Sequence, residues 1–343
     1  MKKTSKLTAL ILAASLALGL SACGGKTETS PAASSDDSAS GEKVKIGILQ
    51  YAPHASLDDC YKGIVEGLKA EGYVDGENCV INFVNGQGET ETNNLAAANF
   101  VSEGDDIIIA IATPAATACY GAAKDKGIPV VFSACSDPVG AGLVSSLEAP
   151  GTGATGTSDS LNFDGQLKLI RAMMPDAKTI GVLYTTSEAN SVSQLAKLKE
   201  LAPKYGFEIV DVGVTDASEV ATGAQTLVSK KVDCINNLTD NNVVNNLSVV
   251  TNATNAAGIP IFGSEVEQVA KYGCVASETL DYLALGKTTG EMAAKILKGA
   301  DVKTLPVSVV ADSKPVYSLK NMQAFKLTLP SEYSTATNTD SEG

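Results

Sequence analysis

The chain has 343 residues, of which 26 are basic and 39 acidic, giving a formal net charge of −13. So acidic a surface excludes nucleic acid as a partner and disfavours adsorption to anionic lipid, while saying nothing of a small ligand whose site is local. With 44% hydrophobic residues there is ample material for a core, and the length sets one large domain or two of ordinary size.

Lys2, Lys3 and Lys6 precede an apolar run, Leu7 to Leu20. The run is shorter than the roughly 20 residues a spanning helix needs. Residues 1–22 therefore read as an export signal. Leu20-Ser21-Ala22-Cys23 resembles the bacterial lipobox, which implies a Cys23 that carries the lipid and becomes the first mature residue. The expected location is extracytoplasmic, lipid-anchored to the cell membrane. Residues 23–42 are rich in Ser, Ala, Thr, Gly, Asp and Glu and read as a flexible tether.

Strand and helix signals then alternate. Val44 to Leu49 is a strand, and Ser56 to Glu71 a helix with Leu57, Cys60, Tyr61, Ile64, Val65 and Leu68 on one face. Cys79 to Val84, Asp106 to Ile111 and Ile128 to Ala134 are strands, separated by helices at Thr90 to Glu103 and Ala115 to Lys124. The wholly apolar third strand is typical of the middle of a parallel sheet. The glycine-rich stretch Gly140 to Ser160 reads as a flexible connection. Its Gly151-Thr152-Gly153-Ala154-Thr155-Gly156 fits GxGxxG literally, but it lacks the strand before and the helix within that dinucleotide binding needs.

The rhythm restarts with a helix at Phe163 to Met174. Strands follow at Thr179 to Tyr184, Phe207 to Val212, Val232 to Asn236 and Ile259 to Phe262. Helices lie between them at Glu188 to Tyr205, Asp216 to Lys230 and Val243 to Ala257. One long helix, Ser277 to Lys298, is expected to return to the first unit, and Val307 to Val310 and Val316 to Leu319 to close the hinge. The fold class is α/β: two doubly wound parallel-sheet lobes joined by a multi-crossing hinge, with a cleft between strand C-termini. The lobes are expected at 43–157 (plus about 274–308) and 158–273 (plus about 309–330), with a disordered tail at 331–343.

Beyond Cys23 the chain has Cys60, Cys79, Cys119, Cys135, Cys234 and Cys274. Several sit in apolar runs, where cysteine acts as a small hydrophobe, and no spacing suits a metal, so free thiols are expected. His54, the one histidine, follows the first strand. No third group completes a catalytic pair with Cys60, and contact with the cleft is the better reading.

Other polar turns also follow strand ends. Thr113-Pro114-Ala115 starts a helix whose free N–H groups suit a carboxylate. Glu188, Ala189, Asn190, Thr239, Asp240, Asn241 and Glu265 gather at one edge of the second lobe and suit an ammonium. Asp240 is the expected main anchor for that amine, with N-capping of the helix before Val243 as its alternative role.

Taken together, these segments resemble the solute-binding lipoproteins of ABC transporters, in the family that includes tryptophan- and other aromatic-amino-acid-binding proteins. The matching pieces are Gln50 to Asp58, Thr113-Pro114-Ala115, Ser136-Asp137-Pro138-Val139, Gly142-Leu143-Val144 and Thr155-Gly156-Thr157-Ser158-Asp159. Tyr184 with Ser187 to Ser191, Thr239-Asp240-Asn241, and Asp281-Tyr282 before Leu285-Gly286 also match. The resemblance implies a type I periplasmic-binding-protein-like clamshell with three interlobe crossings, no catalysis and no cofactor. It implies an ABC permease and its ATPase as partners, and ligand contacts at Thr113, Ala115, Asn190 and Asp240, with Ser158, Asp137 and Glu188 near the cleft. The chain departs from the family at Ser264-Glu265, where an aspartate is usual. Without Trp, an aromatic platform would come from Tyr51, Phe132, Tyr184, Phe262 or Tyr282. The reading is a monomeric importer component binding an aromatic amino acid. A nucleobase, nucleoside or sugar receptor of the same fold, or a sensor for a signalling partner, is the alternative.

Overall fold

The computed structural model describes residues 42–310 and 313–341. The export signal, Cys23 and all but the last residue of the tether lie outside the described residues. The first lobe comprises β1 (Val44–Gln50), α1 (Ala55–Ala70), β2 (Cys79–Asn85), α2 (Thr90–Glu103), β3 (Ile107–Ile111), α3 (Thr113–Ala123), β4 (Val130–Ser133) and β5 (Ala154–Ser158). Its strands lie parallel in the order β2-β1-β3-β4-β5. β3 is buried throughout, as its run of Ile and Ala requires between two layers of helices.

The second lobe runs α4 (Phe163–Met173), β6 (Thr179–Thr185), α5 (Ala189–Leu201), β7 (Glu208–Val214), α6 (Val220–Ser229), β8 (Cys234–Asn236), α7 (Asn241–Asn245), α8 (Leu247–Ala257), β9 (Ile261–Phe262), α9 (Val266–Ala270) and β10 (Ala276–Thr279). Its parallel order is β7-β6-β8-β9. Backbone bonds from Gly263 to Ala276 and from Val275 to Ile261 then carry the sheet on to β10. α10 (Tyr282–Leu297) and β11 (Ser308–Val309) return to the first lobe, β11 pairing with β5. β12 (Lys314–Tyr317), α11 (Leu319–Ala324) and β13 (Thr337–Asn338) belong to the second. The chain therefore passes between lobes three times: after β5, between β10 and α10, and between β11 and β12. Each lobe buries its own apolar residues, the second on both faces of its sheet.

The structure corrects four expectations. The stretch expected to be a flexible connection contains β5, a buried strand paired to β4. A Cβ on Gly156 would lie 2.0 Å from the Phe132 carbonyl oxygen, so only glycine permits this pairing. The polar Thr155 and Thr157 are tolerated inside because their hydroxyls meet the Leu305 carbonyl and the Thr289 hydroxyl, each at 2.7 Å. Ser277 to Thr279 is strand, not helix. α10 begins only after Asp281, whose carboxylate accepts the Ala284 N–H, so the return to the first lobe starts later than residue 274. The helix expected at Val243 to Ala257 is broken at Asn246, whose side chain donates to the Asn242 carbonyl. The tail expected to be disordered forms β13 beside β12, and Asp340 accepts from the Ser318 hydroxyl and the Lys320 N–H.

α1 and α10 pack backbone to backbone. Cβ atoms added at Gly63, Gly67, Gly286 or Gly290 would lie 2.1–2.3 Å from carbonyl oxygens of the facing helix. This approach places the first turn of α10 beside the first turn of α1, where the site begins.

Candidate functional site

In each sheet the strand order reverses once, and ligands of open α/β sheets bind at such a switch point, beyond the strand C-termini. In the first lobe it lies between β1 and β3, whose ends carry Tyr51 to His54 and Ala112-Thr113. In the second it lies between β6 and β8, whose ends carry Thr185 to Asn190 and Asn237 to Asn241. The two points face each other. They enclose a cavity lined by His54, Leu57, Ala112, Thr113, Ala134, Ser136, Asp159, Asn190, Thr239, Asn241, Glu265 and Tyr282.

The lobes are tied directly across this cavity. His54 Nε2 lies 3.3 Å from Asn241 Oδ1, and Ser56 donates to Glu265 Oε2 at 3.0 Å. Gln194 donates to both Ser136 Oγ and Thr239 Oγ1, at 2.9 and 2.6 Å. Ser193 donates to Asp137 Oδ2 at 2.5 Å. The cavity measures about 10 Å³, on the order of a single water. This is the shut form of the cleft, and a solute enters only when the lobes part.

The polar atoms facing this space are mostly acceptors. Burial pushes the His54 imidazole down to about 4, so it is neutral near pH 7. With Nε2–H directed at Asn241, its Nδ1 is a bare acceptor, and it has no partner. Asn190 Oδ1 is likewise buried and without a partner. Asp159 accepts from Ser136 and from the Tyr282 hydroxyl, each at 2.9 Å, and burial raises its pKa. Burial, then the Ser56 and Gln268 hydrogen bonds in opposition and the Asp159 charge in support, leave Glu265 at about 7. No lysine or arginine lines the cavity.

Of the residues singled out in the sequence, His54, Thr113, Asn190, Thr239, Asn241 and Glu265 line the enclosed cavity. Tyr51, Pro114, Glu188 and Ala189 line a separate groove of about 590 Å³ that shares Thr113 with the cavity, and Asp137 and Ser158 a groove of about 460 Å³ that shares Ser136 with it. Ala115 is wholly buried in the first lobe's core. Asp240 does not line the cavity. It caps α7 at the Val243 N–H (2.9 Å) and accepts from the Thr185 N–H and hydroxyl, at 2.5 and 2.8 Å. Its carboxylate is consumed within its own lobe, which removes the reason for taking it as the amine anchor. Glu188 is held similarly, accepting from the N–H groups of Asn241 and Asn242 and the side chains of Asn241 and Asn190. Among the aromatic candidates only Tyr282 reaches the cavity.

Ser136, Asp159, Leu57 and the two alanines were not chosen as site residues from sequence. Ala112 and Ala134 end β3 and β4 at φ of +78° and +53°, a conformation unusual for alanine that turns the chain away from the strand directly at the cavity wall. Ser158-Asp159-Ser160, a polar triplet at the first lobe crossing, was the available signal for Asp159.

Residues 45–339 match the family model described as ABC transporter substrate binding protein. A tyrosine-binding protein of Clostridioides difficile is 38% identical over 328 residues, covering 95% of this chain and 94% of the relative. The solved ABC domain from Streptococcus pneumonia in complex with L-Trp is 36% identical, with a TM-score of 0.83 over 86% of this chain and 98% of that one. A ligand-free, open substrate-binding protein with adhesive properties from Clostridium difficile is 40% identical over the same shares, yet its TM-score is 0.65. The better superposition on the ligand-bound structure, despite lower identity, agrees with the interlobe hydrogen bonds described above. The fold is that of type I periplasmic binding proteins, and the chain belongs to the family of ABC transporter substrate-binding proteins, which bind rather than catalyse.

Proposed function

We propose that this protein is the lipid-anchored, extracytoplasmic receptor of an ABC importer, and that it captures an aromatic amino acid by closing its two lobes around it. The observation that carries the reading is the cavity itself. Buried acceptors without partners and carboxylates without a cation converge on it, as a ligand with an ammonium group would require. The start of α3 at Thr113-Pro114 offers first-turn N–H groups that suit a carboxylate. Leu57, Ala112, Ala134 and Tyr282 supply apolar wall. The named ligands of the relatives, tyrosine and L-Trp, are of the same class. His54, Thr113, Asn190, Thr239, Asn241 and Glu265 are the proposed contacts, with Tyr51, Pro114, Glu188 and Ala189 at one approach and Asp137 and Ser158 at another. Closure around the ligand stops short of the shut form described above, whose space admits about one water, and follows from the ligand's higher affinity for that closed form than for the open one. A permease and its ATPase receive the ligand, and Cys23 carries the lipid.

Calorimetry with L-tyrosine, L-tryptophan, L-phenylalanine, glucose and uracil tests the reading. Binding of at least one aromatic amino acid, with none of glucose or uracil, is the expected result. Binding of glucose or uracil alone overturns it. Replacing Cys23 with Ser tests the anchor: the protein should leave the detergent phase.

A further inference from the structure

We propose that Asp159 and Glu265 together form the ammonium subsite of the cleft, and that Glu265 is the residue that selects a charged amine over its neutral or deaminated analogue. The inference rests on the amino-acid reading above and adds where in the cavity the amine is held.

Four carboxylates are buried near the cleft, but only these two line the enclosed space. They come from different parts of the chain: Asp159 from the crossing after β5, Glu265 from the turn after β9. Ser56, at the start of α1, reaches Glu265 from the opposite lobe. Tyr282, at the start of α10, holds Asp159. The backbone contact of α1 with α10 therefore fixes both supporting hydroxyls relative to each other.

The titratable groups around Glu265 are Asp159, His54 and Tyr282 across the cavity, Cys60 on α1, Cys274 before β10 and Glu267 on α9. The one cation beside them among the described residues, the exposed Lys271, is taken by Glu267 at 2.7 Å, and no group lining the cavity is a cation near pH 7. His54 is pushed to about 4, and burial holds the Tyr282, Cys60 and Cys274 protons on. The partnerless atoms, His54 Nδ1 and Asn190 Oδ1, are 95% or more buried and are both acceptors. An ammonium offers three N–H donors and one positive charge, which matches two carboxylates and bare acceptors; a carboxylate or a sugar hydroxyl brings no charge to balance them.

Charge balance then links binding to a proton. Without a cation, Glu265 at about 7 holds its proton for much of the time near neutrality. When the ammonium arrives, the Glu265 O–H bond breaks, the proton passes to buffer and the carboxylate pairs with the amine. Below pH 7 that release costs affinity; above it the carboxylate is already ionised.

The test is calorimetry over roughly pH 5.5 to 8.5, where linkage predicts about a tenfold affinity change per pH unit for one proton released. The probes are L-tyrosine and its deaminated analogue 3-(4-hydroxyphenyl)propanoate, on the wild type and Glu265→Gln. Wild-type affinity for L-tyrosine should fall about tenfold per unit below pH 7 and level off above it. Below pH 7 the apparent enthalpy should differ between phosphate and Tris buffers, reporting the released proton without any mutant. Glu265→Gln should bind L-tyrosine at least about tenfold more weakly at the alkaline end, lose the pH dependence and narrow the preference over the deaminated compound. A wild-type affinity that is flat with pH, or a Glu265→Gln variant with wild-type affinity and profile, overturns the subsite while leaving the amino-acid reading intact. If the wild type binds none of L-tyrosine, L-tryptophan and L-phenylalanine, the amino-acid reading falls and the subsite with it.

Discussion

Two pairs of buried carboxylates flank the cleft, and they are built differently. Glu188 and Asp240 are surrounded by N–H donors. Between them they take the backbone N–H groups of Thr185, Asn241, Asn242 and Val243 and the side chains of Thr185, Asn190, Ser191 and Asn241. Asp159 and Glu265 are held by hydroxyls of Ser136, Tyr282 and Ser56, together with the Gln268 side chain, and face the cavity. In the first pair, burial and mutual repulsion raise the pKa of Glu188 while the N–H donors pull it down. Its oxygens are taken up in fixing where α7 starts relative to β6. In the second pair the donors are fewer and the charge is left for something else. Burial of an acid therefore does not mark a ligand anchor; the number and origin of its donors does.

The sharpest way to break this comparison is at Asp240. Asp240→Ala leaves the Thr185 and Val243 N–H groups buried without acceptors, at about 1–3 kcal/mol each. Unfolding free energy should fall by about 3–5 kcal/mol in urea titrations. Asp240→Asn keeps a capping oxygen and should recover much of the loss while holding ligand affinity near the wild type. A stable Asp240→Asn protein with binding reduced far more than tenfold would restore Asp240 as the amine anchor and dissolve the distinction between the pairs.

The pH dependence of stability, read against Glu265→Gln, isolates one member of the cavity pair next. The folded-state pKa of Glu265, about 7, lies above its ordinary 4.5, so the fold favours the protonated carboxyl. Its contribution is fully present below the ordinary value and is lost as pH rises through about 7. Stability of the ligand-free protein should decline over that window, by at most about 1.4 kcal/mol per pH unit for this carboxyl. Glu265→Gln should show a shallower decline, so the two unfolding curves should draw apart with rising pH.

A third test acts through packing alone. A Cβ on Gly286 would lie 2.2 Å from the Cys60 carbonyl oxygen, so Gly286→Ala must push α1 and α10 apart. Overpacking of this kind costs about 1–3 kcal/mol. Because Ser56 and Tyr282 sit at the starts of these helices, the cavity pair should be disturbed and the Glu188–Asp240 pair spared. Affinity and stability should both fall, and the α7 amides should keep their hydrogen-exchange protection.

The comparison also shows what was legible in the sequence. Apolar strands such as β3 announce themselves, and each polar turn after a strand end points to a sheet edge where ligands gather. That rule points to His54, Thr113, Asn190, Thr239, Asn241 and Glu265, which the fold brings together around one cavity. β5 was hidden because its burial depends on partners distant in sequence: Phe132 for Gly156, Leu305 for Thr155 and Thr289 for Thr157. Asp240 is ambiguous in the sequence because a carboxylate after a strand can turn back to cap the next helix or out into a cavity, and the sequence is the same for both; in the fold it caps α7. Asp159 was passed over because its role exists only where the chain crosses between lobes and meets Tyr282.

The smallest effect expected is also the most specific to closure. The Ser56 hydroxyl donates to Glu265 across the lobes, so this bond exists only in the shut form. Ser56→Ala deletes a donor to a carboxyl while keeping the start of α1 intact. Parting the lobes breaks this bond, since Ser56 and Glu265 stand on opposite lobes, so the open form should lose nothing. The shut form should lose about 1 kcal/mol, the net value of a hydrogen bond. Affinity should therefore weaken about fivefold, with unfolding of the ligand-free protein changed little. The dissociation rate should carry the change, since the bond forms after the ligand is enclosed. With the donor gone, the ionised form of Glu265 loses support and its pKa should move further up. A Ser56→Ala protein with slower association and unchanged dissociation would place Ser56 outside the closing mechanism.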